Sequence, residues 1–124
     1  MKHLPLIQYQ TIPHKAQRYE TCGDYKTHDE VDWYYISKLK LGWRAELAVF
    51  VHEMIEYQLC KEDGIKEEDI TRFDIESGLD DPGASKLAPY HNQHKIAEKI
   101  ERQIIKGLGL SWKEHDDCIN NLKY

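Results

Sequence analysis

The residues whose types and spacing could do chemistry lie in one stretch, Ala45 to Lys61, AELAVFVHEMIEYQLCK. It reads as a mostly apolar helix carrying His52, Glu53 and Glu56 in its middle. Titratable groups inside such a helix need partners, because burying them unpaired is costly. His52-Glu53-Met54-Ile55-Glu56 is one letter away from H-E-x-x-H, a zinc-binding helix motif. At about 100° per residue, His52 and Glu56 project about 40° apart, one turn from each other, and Glu53 lies about 60° from Glu56. Ala45, Val49 and Cys60 share their side, while Leu47, Val51, Met54 and Ile55 form an apolar arc elsewhere. A zinc site needs this arrangement: two ligands at i and i+4 on one face, with a carboxylate beside them to take a proton from metal-bound water. Glu56 is an admissible second ligand, since carboxylate oxygen binds zinc at about 2.0–2.2 Å. As an anion it leaves the metal less electrophilic. That weighs against peptidase chemistry more than against metal binding.

Further ligands are available downstream. The segment Tyr90 to Lys106, YHNQHKIAEKIERQIIK, reads as a second long helix. On it His91, His94, Glu98 and Glu101 share a face, apart from the apolar stripe of Ile96, Ala97, Ile100, Ile104 and Ile105. The expected site combines His52 and Glu56 with His91 or His94, and Glu53 as general base. The spare histidine would support a ligand or donate to the reacting group. Zinc is the expected ion, another divalent metal the alternative. Glu98 and Glu101 read as a charged face paired with Lys95, Lys99 and Arg102, and Cys60 as a small core residue.

The elements that must hold these residues follow from turn signals and periodicity. Residues 4 to 12 are β-leaning, with Pro5 marking an edge or strand start and Pro13 closing the run. Arg18 to Thr27 contains Gly23-Asp24, a turn signal, and holds a short strand or a bend. His28-Asp29-Glu30 is a polar turn. Asp32 to Leu39 is the clearest strand, with Trp33, Tyr35, Ser37 and Leu39 on one face; Trp33, Tyr34, Tyr35 and Trp43 are read as packing residues. The first long helix runs from Trp43 or Arg44 to Glu62, with Gly64 suited to follow its end. Ile65 to Phe73 makes one or two helical turns, and Glu76 to Pro89 is loop. Gly107 is the expected C-terminal cap of the second long helix. Ser111 to Glu114 reads as a capping box opening a last helix, Trp112 to about Leu122. A β-rich first third followed by helices makes the class α+β, with a short sheet packed on two long helices plus a C-terminal one.

Composition bounds the function. A chain of 124 residues with 17 basic and 22 acidic side chains is expected to form one domain, residues 1–124, of net charge −5. With no Lys/Arg cluster, nucleic acid is not an expected partner. No run approaches the roughly 18 apolar residues of a membrane span, and the N-terminal apolar run is too short for a signal peptide. Cys22, Cys60 and Cys118 are an odd number without C-x-x-C spacing, which suggests a reducing compartment.

Several of these segments together resemble small zincin-like proteins encoded by phages and prophages. They are Gly23-Asp24-Tyr25, the strand near Trp33, LAVFVHEMIEYQLCKEDGI, the Asp80 to Gly83 loop, and APYHNQHKIAEKIER followed by LGLSW. The resemblance spans roughly residues 20 to 115. It implies a minimal zincin-like domain, with His52, Glu53 and Glu56 on the motif helix and His91 and His94 as downstream histidines. With the reducing compartment that the cysteines suggest, the expected location is the cytoplasm of a bacterial or phage-infected cell. The expected function is a zinc-dependent hydrolase acting on a peptide or protein. The first alternative is a non-catalytic metal-binding phage protein that binds a host or phage partner. A two-metal phosphohydrolase would use His115-Asp116 and the pairs His52/Glu56 and His94/Glu98. The plainest alternative is a polar network joining two helices without metal.

Overall fold

The computed structural model describes residues 6–124, so the expectations for Leu4 and Pro5 lie outside the described residues. Strand β1 (Leu6–Ile12) leads through a short 3₁₀ turn to β2 (Gly23–His28) and β3 (Val31–Ser37). Four α-helices follow: α1 (Trp43–Glu62), α2 (Glu67–Ser77), α3 (His91–Gly107) and α4 (Trp112–Asn120). The class is α+β. The sheet order is β1-β3-β2, with β1 parallel and β2 antiparallel to β3. The β2–β3 hairpin turns on Asp29 and Glu30, both left-handed with φ of 51° and 65°. Two positive φ angles in a two-residue loop match the right-handed twist of the strands, a turn that usually carries glycine at its second position.

Strand β3 alternates as expected, but the face it buries is set by α1. Tyr34 and Ile36 are fully buried, while Trp33 and Tyr35 stack on each other on the outer side, half-buried. Trp43, read from sequence as a packing residue, is 60% exposed at the start of α1. Gly23-Asp24, a turn signal in the sequence, opens strand β2, and Gly23 and Asp24 are buried.

Helix α1 occupies its expected span and packs on α3 as well as on β2 and β3. Being covered on several sides, it lacks a single apolar stripe. Its buried residues are Ala45, Ala48, Val49, His52, Glu56, Tyr57 and Cys60, and the arc of Leu47, Val51, Met54 and Ile55 is only half-buried. Asp63 caps its end, and Gly64 follows in the left-handed conformation. Helix α2 is longer than the expected one or two turns, running through Ser77 to Gly78 in a left-handed cap. The loop after it contains a 3₁₀ turn, Pro82–Ala84. Gly107 is the last residue of α3 rather than its cap, and Gly109, at φ 80°, makes the left-handed exit. Ser111 Oγ accepts from the Glu114 amide at 3.1 Å and so caps α4 as the motif implies.

The core has two parts that meet at Phe50. Tyr25, Tyr34, Tyr57 and Cys60 build one with α2 and the start of α3; Ile36, Leu39, Ala45 and Val49 build the other with α4. Among the described residues no helix is long and apolar enough to cross a membrane.

Two tests follow from this frame. Glu30→Gly relieves a left-handed non-glycine residue and should stabilise the fold by about 1 kcal/mol. Urea midpoints measure this, and a lower midpoint would contradict the turn. Asp32 is buried where the sheet meets α1. Burial works to raise its pKa, but Lys61 at 2.6 Å and hydrogen bonds from Thr27 and Gln58 at 2.7 Å outweigh it and hold the carboxyl below its ordinary value. Its contribution is therefore complete above the unfolded-state pKa of about 3.9 and is lost as pH falls through the lower folded value. Asp32→Asn should destabilise the protein at neutral pH and flatten the acid limb of the urea midpoint against pH. An unchanged acid slope would refute the assignment.

Candidate metal centre

The helices α1 and α3 run antiparallel, so His52 meets Glu101 while Glu56 meets His94. The centre of this contact is one oxygen. Glu56 Oε2 lies 3.0 Å from His52 Nε2 and 3.0 Å from His94 Nδ1. Its other oxygen, Oε1, accepts from the Tyr25 hydroxyl at 2.7 Å, reaching over from β2. The two imidazoles meet edge to face with ring centroids 4.8 Å apart. His52 and Glu56 are buried, and the His94 side chain is 12% exposed.

His52, Glu56 and His94 each offer a ligand atom, and these atoms lie within 4.8 Å of one another. Ligands held tetrahedrally at about 2.0 Å from zinc stand roughly 3.3 Å apart, near the separation of each histidine nitrogen from Glu56. The donor set of two imidazoles and one carboxylate also suits a divalent metal. The His52 imidazole is backed at its far nitrogen by another carboxylate. His52 Nδ1 donates to Glu101 Oε1 at 2.7 Å, and Asp81 Oδ1 lies 3.2 Å from His94 Nε2. Carboxylates behind ligating imidazoles fix the ring orientation and raise ligand basicity.

These neighbours bias the titrations. Burial works against each charge, yet the Glu101 and Glu56 carboxylates raise His52 well above its ordinary value. For His94, burial is again outweighed, by Asp81 and Glu56, and its pKa rises to about 10. Glu56 is held below the carboxylate range because the hydrogen bonds from His52 and His94 outweigh burial. Glu53 goes the opposite way: burial first, then the Glu56 charge, push it well above the usual range. Two adjacent carboxyls thus have pKa values driven apart, which suits them to different roles.

Glu53 has no hydrogen-bond partner among the described residues. It lies against Gly23, where an added Cβ would come within 2.6 Å of Glu53 Cγ. The site opens on a cleft of about 900 Å³ that Glu53, His52, Glu56 and His94 all line. Close approach is also needed on the other wall, where a Cβ on Gly83 would stand 2.4 Å from the His94 ring.

His52, Glu53, Glu56 and His94 therefore come to one cleft. His91 does not join the group: its Nδ1 donates to the Gly83 carbonyl at 3.0 Å and ties the 3₁₀ turn to α3. Glu101, read from sequence as surface charge, is buried at 5% exposure and bridges His52 to His115. Glu98 does make the expected ion pair, with Arg102 at 3.6 Å. Asp81, His94 and Glu98 form a second group of three that shares His94, though Asp81 is exposed. Cys60 is fully buried; burial, then Glu56, push its thiol up to about 12, and it behaves as a core residue. His115-Asp116 does not act as a pair, since His115 is buried on Glu101 and Asp116 is exposed.

Sequence reasoning missed Tyr25, Asp74, Asp81 and Glu101 as site residues. Asp74 of α2 accepts from Tyr19 at 2.8 Å and from Tyr90, and burial raises it to about 6. Only Glu101 left a local signal, two helical turns after His94 on the same face. The others arrive from different elements. Comparison with family models, curated proteins and solved structures finds no match to this chain.

The tight approach at Gly83 is testable. Gly83→Ala should cost about 1–3 kcal/mol of stability by overpacking against His94. Gly107→Ala, where a Cβ meets nothing within 4 Å, should be neutral or mildly stabilising. Equal urea midpoints for the two variants would show that His94 does not press on Gly83.

Proposed function

We propose that this chain is a zinc-dependent hydrolase of zincin type acting on peptide or related amide bonds. His52, Glu56 and His94 would hold the metal, and Glu53 would activate water. The observation that carries the reading is the convergence of His52 Nε2 and His94 Nδ1 on Glu56 Oε2 beside a cleft that also holds Glu53. A polar network serving only to join two helices would not need to open on a cleft.

A divalent metal bound there would supply a Lewis acid that lowers the pKa of a coordinated water. The protein's own groups do the rest. Tyr25 holds Glu56 through Oε1, leaving Oε2 for the metal. Glu101 aims the His52 imidazole. Glu53, pressed against Gly23 and free of hydrogen bonds, can accept a proton and pass it to a leaving amine.

The cleft supports the substrate class. It is lined by carboxylates including Glu20, Asp80 and Asp116, and by no Lys or Arg among the described residues. Such a lining repels phosphate esters and nucleic acids and accepts neutral or cationic chains. The phosphohydrolase alternative loses ground on the same observation.

The test begins with elemental analysis of protein purified without an affinity tag, where one zinc per chain is expected. Glu53→Gln should keep that metal and lower cleavage of a quenched-fluorescent peptide library by roughly 10²–10⁴-fold. If the wild type takes up no zinc, the metal centre is refuted. If Glu53→Gln loses the metal or turns over normally, the role of Glu53 is wrong.

A further inference from the structure

Beside His52 lies a buried pair, Glu101 and His115, of which the proposed chemistry uses only Glu101. Glu101 of α3 accepts from His52 Nδ1 through Oε1 at 2.7 Å, and from His115 Nε2 of α4 through Oε2 at 2.6 Å. Glu101 is 5% exposed and His115 not at all. The chain His115–Glu101–His52 therefore crosses three helices inside the protein.

Proton counting gives this chain a direction. An ionised carboxylate can only accept, so each imidazole must carry a proton on the nitrogen facing Glu101. For His115 this leaves Nδ1 as the bare nitrogen. That atom is buried without a partner, a place where a lone pair is tolerated far better than an N–H. For His52 the proton on Nδ1 assigns Nε2 to the cluster with Glu56 and His94, the nitrogen a metal would take. Without His115, Glu101 Oε2 would be a buried carboxylate oxygen with no donor, free to rotate. The His52 tautomer would then lose its support.

We propose that His115 is a positioning residue for the metal centre: through Glu101 it sets the tautomer and ring orientation of His52, so that helix α4 holds a ligand of the site it does not touch. This rests on the metal-centre reading given above. It adds that the last helix governs metal affinity, although its residues lie at least eighteen positions beyond the nearest ligand, His94. Ser111 starts α4 with its cap and so places His115 in the second turn, facing α3.

The test uses the full chain and zinc alone as the probe, with affinity read by competition against a chromophoric chelator. His115→Leu removes the donor. His115→Gln keeps an N–H in nearly the same place. Glu101→Gln keeps the shape and replaces an acceptor by a donor. His115→Leu and Glu101→Gln should bind zinc about 10–100-fold more weakly than wild type. His115→Gln should stay within a few-fold of wild type, and ¹⁵N-detected imidazole spectra of its zinc form should show His52 protonated at Nδ1, as in wild type. Mere packing of α4 would leave Glu101→Gln unaffected, or make His115→Gln as weak as His115→Leu; either result overturns the proposal. If circular dichroism shows that His115→Leu does not fold, Glu101→Gln against His115→Gln decides the matter by the same criteria. A wild type that binds no zinc removes both this proposal and the metal centre. A wild type that binds zinc, with Glu101→Gln and folded His115→Leu unchanged, removes this proposal alone.

Discussion

The structure depends on one buried carboxylate. Glu56 sits between two long helices, and a charge in that position must be compensated on every side. His52 comes from its own helix, His94 from α3 and Tyr25 from the sheet. His52 is supported in turn by Glu101, and Glu101 by His115. The packing of α1 on α3 is thus specified by a polar contact that has few acceptable geometries, where an apolar seam would tolerate sliding.

Small residues make this possible. Ala45, Ala48 and Ala97 are fully buried on the two helices. Gly23 and Gly83 let backbone close on Glu53 and His94 from opposite walls of the cleft. Aromatic residues fill the space beside the polar contact: Tyr25 and Tyr57 stack with centroids 4.4 Å apart, and Tyr34 stands edge-on to Phe50. The protein places its polar groups in the middle of its interior and divides its apolar core into two parts around them. Site and stability share the same residues, which is the usual setting for a trade between the two.

Much of the architecture was readable one element at a time. The end of α1 follows from Gly64, and the start of α4 from Ser111 and Glu114, because these signals act within a single turn. The period of β3 was likewise visible. Its buried face was not, because alternation is symmetric until a helix covers one side. Helix α1 shows the converse case. Its apolar arc of Leu47, Val51, Met54 and Ile55 suggested a buried face, yet a helix covered by both a sheet and a second helix buries its polar side as well.

The site divides in the same way. The chain by itself determined that His52 and Glu56 share a helix face with Glu53 beside them, since i and i+4 spacing fixes that geometry locally. It also determined that a second helix offers histidines and glutamates on one side. Only the tertiary structure decided which of them meet. The antiparallel register of α1 and α3 brings His94 to Glu56, leaves His91 on the Gly83 carbonyl, and turns Glu101 from surface charge into a buried link to His115. Tyr25, Asp74 and Asp81 join from a strand, a helix and a loop that are remote in the chain. Their roles depend on distances across the fold, and no periodicity along one segment encodes those.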